Sequence, residues 1–236
     1  MAALTTSRIE ELQLYDTHLT DSSCPHLGSG IRNNPTLRTL NLSGNNLEGP
    51  HFWDVMAALT TSRIEELQLY DTHLTDSSCP HLASGIRNNP TLRTLNLSGN
   101  NLEGPHFRDL MAALTTSRIE GLQLSSNHLT DSSCPHLVPG IRNNPTLRTL
   151  NLSGNNLGGP HFRDLMAALT TSRIEELQLS SNHLTDSSCP HLASGIKNKP
   201  DTEDTGPVYE QSGGSSFLGY DGGSDNKPDR GITIVL

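Results

Sequence analysis

The side chains that could hold a metal, form a disulfide or move a proton are unusually regular here. Eleven histidines and four cysteines lie in 236 residues, and each recurs on a fixed spacing. His18, His73, His128 and His183 are 55 residues apart, and so are Cys24, Cys79, Cys134 and Cys189. Asp16-Thr17-His18 has the residue types of an acid–base pair. No nucleophile accompanies it, and the third copy reads Ser126-Asn127-His128. Catalysis needs one special constellation, whereas recurrence points to structure. No catalytic residue is assigned, and no enzyme activity, cofactor or resident metal is expected.

The elements that position these residues follow from the repeat. The string MAALTTSRIE begins at Met1, Met56, Met111 and Met166. The first two units differ only at Gly28/Ala83, Trp53/Arg108 and Val55/Leu110. Each unit is two related halves. One opens Ile9-x-x-Leu12-x-Leu14-x-x-Thr17-x-Leu19, the other Leu37-x-x-Leu40-x-Leu42-x-x-Asn45-x-Leu47. Both match the leucine-rich-repeat pattern, which starts at Ile9, Leu37, Ile64, Leu92, Ile119, Leu147 and Ile174. In Leu12-Gln13-Leu14, alternation puts two leucines on one face of a short strand. Asn45 suits the bend that follows. Pro25 fits the first turn of a helix capped from Asp21, Ser22 or Ser23, with Cys24, Leu27 and Ile31 on one apolar stripe. In the second half Pro50 is expected to start a helix that buries Phe52, Val55 or Met56, and Leu59. No half can bury its stripe alone, so neighbours must stack.

Stacking settles the chemistry. Equivalent strands two repeats apart lie roughly 10 Å from each other. That separation is too large for histidines to share a metal at about 2.0–2.1 Å. It also exceeds the limit of about 7 Å between Cα atoms for a disulfide. Buried free thiols are expected, and with them a reducing, cytoplasmic compartment. Against this stand the sequons Asn41-Leu42-Ser43, Asn96-Leu97-Ser98 and Asn151-Leu152-Ser153. They fall mid-strand, where an asparagine ladder is expected rather than glycans.

The run LRTLNLSGNNL at Leu37–Leu47, Leu92–Leu102 and Leu147–Leu157 resembles the ribonuclease-inhibitor type of leucine-rich repeat. The Ser23–Leu27 segment, Ser-Cys-Pro-His-Leu, is similar to repeats of NOD-like receptors. The resemblance covers residues 1–200. It implies an α/β leucine-rich-repeat solenoid (a horseshoe) with an inner parallel β-sheet and outer helices. It also implies innate immune sensing or its regulation. One part departs: no G-x-x-x-x-G-K-S/T motif occurs, so no nucleotide-binding module is expected within this chain.

The concave face should carry the residues flanking the strand leucines. These are Glu11, Gln13, Tyr15 and Asp16, then Thr39, Asn41 and Ser43, then Glu66, Gln68, Tyr70 and Asp71. Gln123 and Ser125 follow in the third unit, and Gln178 and Ser180 in the fourth. Tyr15 and Tyr70 are the anchor candidates, because rigid amphipathic aromatics carry interface energy. Seven positions separate the second and third units: Glu66/Gly121, Tyr70/Ser125, Asp71/Ser126, Thr72/Asn127, Ala83/Val138, Ser84/Pro139 and Glu103/Gly158. Three of them belong to this face. Either a binding surface diversified on a fixed scaffold, or one conversion event swapped a block. The second motif position reads Glu10, Arg38, Glu65, Arg93, Glu120, Arg148, Glu175, which predicts a salt-bridge ladder along one rim.

Composition bounds the partner. Net charge is −9, hydrophobic residues are 33% and aromatic residues 4%. This charge argues against a nucleic-acid surface, and no apolar run reaches the length of a membrane span. No signal peptide is read at the amino end. A protein partner is expected, or else a microbial or nucleotide-derived ligand. The alternatives are an enzyme regulator, namely an inhibitor of the ribonuclease-inhibitor kind or a GTPase-activating protein, and self-association through uncapped ends. Residues 201–236 are acidic and rich in Gly and Ser, with seven acids against two cations. Their closing Ile-Thr-Ile-Val-Leu stretch is readable as a cap or edge strand, as part of a flexible tail, or as a docking ligand anchored by Ile234 and Leu236.

Overall fold

The computed structural model describes residues 8–87, 89–197, 208–212, 215–219 and 233–235. Leucines spaced by one residue give strands only three residues long. These are β1 (Glu11–Gln13), β2 (Thr39–Asn41), β3 (Glu66–Gln68), β4 (Thr94–Asn96), β5 (Gly121–Gln123), β6 (Thr149–Asn151) and β7 (Glu176–Gln178). Each pairs in parallel with the next, and leucine sits opposite leucine throughout, as Leu40 does opposite Leu67. The helices are α1 (Cys24–Arg32), α2 (Phe52–Leu59), α3 (Cys79–Arg87), α4 (Phe107–Leu114), α5 (Cys134–Asn143), α6 (Phe162–Leu169) and α7 (Cys189–Lys197). After them come β8 (Val208–Ser212), β9 (Ser215–Gly219) and β10 (Thr233–Val235). The chain is an α/β leucine-rich-repeat solenoid.

The core is one continuous apolar layer between sheet and helices. Leu40, Leu67, Leu95 and Leu122 fill it from the strands, and Phe52, Phe107 and Phe162 from the helices, all at most 1% exposed. The bend after each strand rests on an asparagine. Asn45 Oδ1 accepts the Leu19 N–H at 2.8 Å, while its Nδ2 donates to the Leu14 and Leu42 carbonyls, both at 2.8 Å. Asn100 and Asn155 repeat the arrangement. One side chain thus pairs backbone groups of two adjacent halves, which would otherwise be buried without partners.

Several local expectations need correction. Asp21–Ser23 form a short 3-10 turn before α1, and the cap belongs to Thr20, which exchanges hydrogen bonds with Ser23. Pro50 does not start α2; the helix begins at Phe52. Its start is fixed by Asp21 from the preceding half, which accepts the Phe52 N–H at 3.0 Å and bonds His51 Nδ1 at 2.7 Å. A carboxylate there satisfies free N–H groups and opposes the positive end of the helix dipole. Asp76 holds His106 and Phe107 in the same way, and Asp131 holds His161 and Phe162. Cys24, Cys79 and Cys134 are buried free thiols, but Cys189 is exposed. The difference follows from stacking: the first three are covered by the helix of the next half, and among the described residues no such helix follows α7.

Candidate functional site

Register turns the sequence into columns. Glu11, Thr39, Glu66, Thr94, Gly121, Thr149 and Glu176 stand side by side. The next column is Gln13, Asn41, Gln68, Asn96, Gln123, Asn151 and Gln178. All twelve residues predicted for the concave face lie on or just past the odd-numbered strands β1, β3, β5 and β7. They form two groups rather than one cluster. Glu11, Gln13, Tyr15 and Asp16 join Glu66, Gln68, Tyr70 and Asp71 in the first two units. Gln123, Ser125, Gln178 and Ser180 belong to the last two.

In the first group each glutamate is tied to its glutamine, Gln13 to Glu11 at 2.6 Å and Gln68 to Glu66 at 2.8 Å. Tyr15 and Tyr70 are the large exposed apolar side chains of this face, at 58% and 46% exposure. Each ring lies over a glycine of the next half. A Cβ on Gly99 would stand 3.0 Å from a Tyr70 ring carbon, and Gly99 itself has φ +71°. Glycine there gives the backbone its left-handed turn and gives the ring a flat seat. Asp16 and Asp71 hold left-handed backbone as well, at φ 50° and 49°. Aspartate tolerates that region better than most residues. Four carboxylates therefore share the face of the first two units. In the last group Gln178 bonds Glu176 at 2.6 Å, and Ser180 donates to Ser153 Oγ at 3.0 Å. Glu176 is the one carboxylate in the equivalent face positions of those units.

The rim is not a continuous ladder. Arg38 pairs with Glu65 at 2.8 Å, Arg93 with Glu120 at 3.5 Å and Arg148 with Glu175 at 2.6 Å. Among the described residues these are separate ion pairs, each with the following glutamate, and Arg38 and Arg93 also donate to the Arg63 and Arg118 carbonyls. All are well exposed and add little stability. The predicted sequon asparagines sit in β2, β4 and β6, where each Oδ1 accepts its own serine's N–H at 2.9–3.0 Å.

Other titratable groups are structural. Burial raises the Glu48 carboxyl, but hydrogen bonds from Ser78, Thr75 and Ser77 outweigh it and leave the group below the usual glutamate range. Burial, with Asp21 and Asp54 nearby, pushes the Cys24 thiol up to about 12. Cys134 reaches about 12 through burial and the charges of Asp131, Asp164 and Glu103. Cys79 moves the same way for the same reasons. Thiols raised like this are poor nucleophiles and poor metal ligands. Among the described residues no group of His, Cys, Asp and Glu is placed to hold a metal ion. Sequence reasoning passed over Trp53, which is 44% exposed on α2 with its ring centroid 5.8 Å from that of His81. The signal was available, since Trp53 is one of three positions where the first two units differ.

Stacked parallel strands, buried asparagines that bond the backbone at the bends and helices along the outer side define a leucine-rich-repeat solenoid. A family model described as a Leucine Rich repeat matches residues 33–50, 88–105 and 143–160. These are leucine-rich repeats, and they are similar to those of ribonuclease inhibitors. It is 35% identical over 189 residues to a ribonuclease inhibitor of Sus scrofa, covering 78% of this chain and 41% of that protein. It is 31% identical over 183 residues to the human NACHT, LRR and PYD domains-containing protein 13, covering 75% of this chain and 18% of that one. The chain thus spans about two fifths of the inhibitor and under a fifth of the human relative. Among solved structures, the C-terminal domain of a Caenorhabditis elegans tropomodulin matches with a TM-score of 0.46 at 16% identity, covering 77% of this chain and 93% of that one. Among the described residues no helix is long and apolar enough to cross a membrane.

Proposed function

We propose that this chain is a non-enzymatic protein-interaction module that engages its partner on the concave face of the first two units. The observation that carries the reading is the pair Tyr15 and Tyr70, exposed at 58% and 46% on a face otherwise made of small polar groups. A monomer gains nothing by holding two rings in water; a partner that covers them gains apolar contact at small entropic cost. Glu11, Asp16, Glu66 and Asp71 surround them, so the partner surface is basic. Similarity to human and mouse NACHT, LRR and PYD domains-containing proteins supports a place in innate immune sensing or its regulation, in the cytoplasm. Capture from cell extract by wild type and by Tyr15→Ala with Tyr70→Ala tests this. Loss of the captured protein with unchanged folding supports the concave face. Capture retained by that double variant but lost in Trp53→Arg moves the interface to the helices and refutes the reading.

A second reading, an inhibitor of a basic enzyme, is favoured by one specific observation: the 35% identity to a ribonuclease inhibitor. Titrating the chain against a basic pancreatic-type ribonuclease decides it, since undiminished hydrolysis at excess chain removes that reading.

A further inference from the structure

The strand β10 copies an internal strand. In each of the first three units, the second-half strand is Thr-Leu-Asn, and it pairs with the strand before it through two recurring bonds. At β1 and β2, Thr39 N–H donates to the Glu10 carbonyl at 3.0 Å, and Leu14 N–H donates to the Asn41 carbonyl at 2.8 Å. The same bonds join Thr94 to Glu65 and Leu69 to Asn96, then Thr149 to Glu120 and Leu124 to Asn151. At the far side of β7 the partner is Thr233-Ile234-Val235. Thr233 N–H donates to the Glu175 carbonyl at 2.7 Å, and Leu179 N–H donates to the Val235 carbonyl at 2.8 Å. The register is also the internal one, with Thr233 opposite Glu176, Ile234 opposite Leu177 and Val235 opposite Gln178. Ile234 is 0% exposed and takes the place of a repeat leucine. On its other side β10 pairs antiparallel with β9, which pairs with β8.

We infer that the outer edge of β7 is a strand-acceptor site, and that its ligand is the chain's own segment around Thr233–Val235. Repeat proteins need something at each end to cover the last apolar layer, and an unpaired strand edge is a template for other chains. The imitation is specific to the sheet layer. Leu177 and Leu179 are at most 1% exposed beneath β10, whereas Leu192 and Ile196 of α7 are 5% and 6% exposed and Cys189 is open. A helix of the next half would have covered all of these, as α6 covers Cys134 and Leu137 at 0%. The segment takes the strand position of a further half, and among the described residues no helix takes that half's helix position. The segment belongs to the same chain, 35 residues after α7, and covalent linkage raises the effective concentration of a strand without adding contacts. The same segment can therefore be supplied by a second chain.

The test uses the full chain, a chain ending at Pro200, and a peptide of residues 201–236. The full chain is expected to protect the Leu179 amide from hydrogen exchange, and the shortened chain to lose that protection by at least tenfold. Adding the peptide should restore it, while the same peptide carrying Ile234→Asp should not. Internal amides such as those of Leu97 and Leu124 report whether the rest stays folded. If the shortened chain keeps its Leu179 protection, or if the Ile234→Asp peptide restores it as well as the natural one, the inference is wrong. Transfer of the segment between full chains, read as a dimer on sedimentation at high concentration, would further support it.

Discussion

The first two units and the last two place different side chains in the same backbone slot, and the asparagine of the last two is fully paired in one unit and not in the other. In the second unit the slot holds Thr72, whose hydroxyl donates to the Leu69 carbonyl at 2.9 Å. In the fourth it holds Asn182, whose Oδ1 accepts the Leu157 N–H at 3.3 Å. That contact depends on Gly158, where a Cβ would collide with the His183 carbonyl, so the two halves approach closely. In the third unit Asn127 follows a half that carries Glu103 instead. Its Nδ2 still donates to the Leu97 carbonyl at 2.9 Å, but Oδ1 is buried without a partner. The Glu103 side chain is engaged elsewhere, accepting from Thr130, Ser132 and Ser133. The third unit also carries Pro139 inside α5, which removes a helical N–H. Side chains tuned to one neighbour are thus mismatched to another, and the mismatch falls between the second unit and the third.

The largest expected difference between the two regions is in thiol reactivity. Cys189 in the fourth unit should react with a disulfide reagent within minutes in the native state. Cys24, Cys79 and Cys134 should react orders of magnitude more slowly, so a count of more than one fast thiol would contradict the stacking described. Next comes the asparagine that serves both halves. Asn100→Ala strands backbone groups at Thr72, Leu74, Leu69 and Leu97, and should cost about 3–5 kcal/mol by chemical denaturation. The exchange at the mismatched slot should be smaller and of opposite sign in the two units. Asn127→Thr should stabilise by about 1 kcal/mol, and Thr72→Asn should destabilise by a similar amount. Equal effects of both would remove the comparison. The smallest effect is at Glu48. Its folded pKa lies below its unfolded value, so its ionised form stabilises the fold above the ordinary glutamate range. That contribution is lost as pH falls through the folded value. The gap in denaturation midpoint between wild type and Glu48→Gln should therefore shrink on acidification. A gap that widens would reverse the assigned direction.

Much of this architecture is written in the leucines. Their spacing of three, two and five residues gives strand, bend and next layer, and register follows because a slip of one residue would expose every leucine. The helix starts were harder to read, because the group that fixes Phe52 is Asp21, 31 residues earlier and in a different half. Local pattern held no trace of that contact. The ladder at Arg38 and Glu65 was legible as charge alternation, but which neighbour each arginine reaches depends on side-chain reach. Of the candidate site, the columns were legible from alternation alone. The seat that Gly99 offers Tyr70 was not, because it joins positions 29 residues apart. Asn127 could be seen as a difference between units, but its missing partner required knowing which half precedes it.

The buried, unpaired Oδ1 of Asn127 also gives the stack a direction of failure. Seven nearly equal layers under tension would otherwise share the load alike. A molecule pulled from both ends should part first between the second unit and the third. It would leave two folded blocks of about equal length, still joined by the chain, before either unravels further.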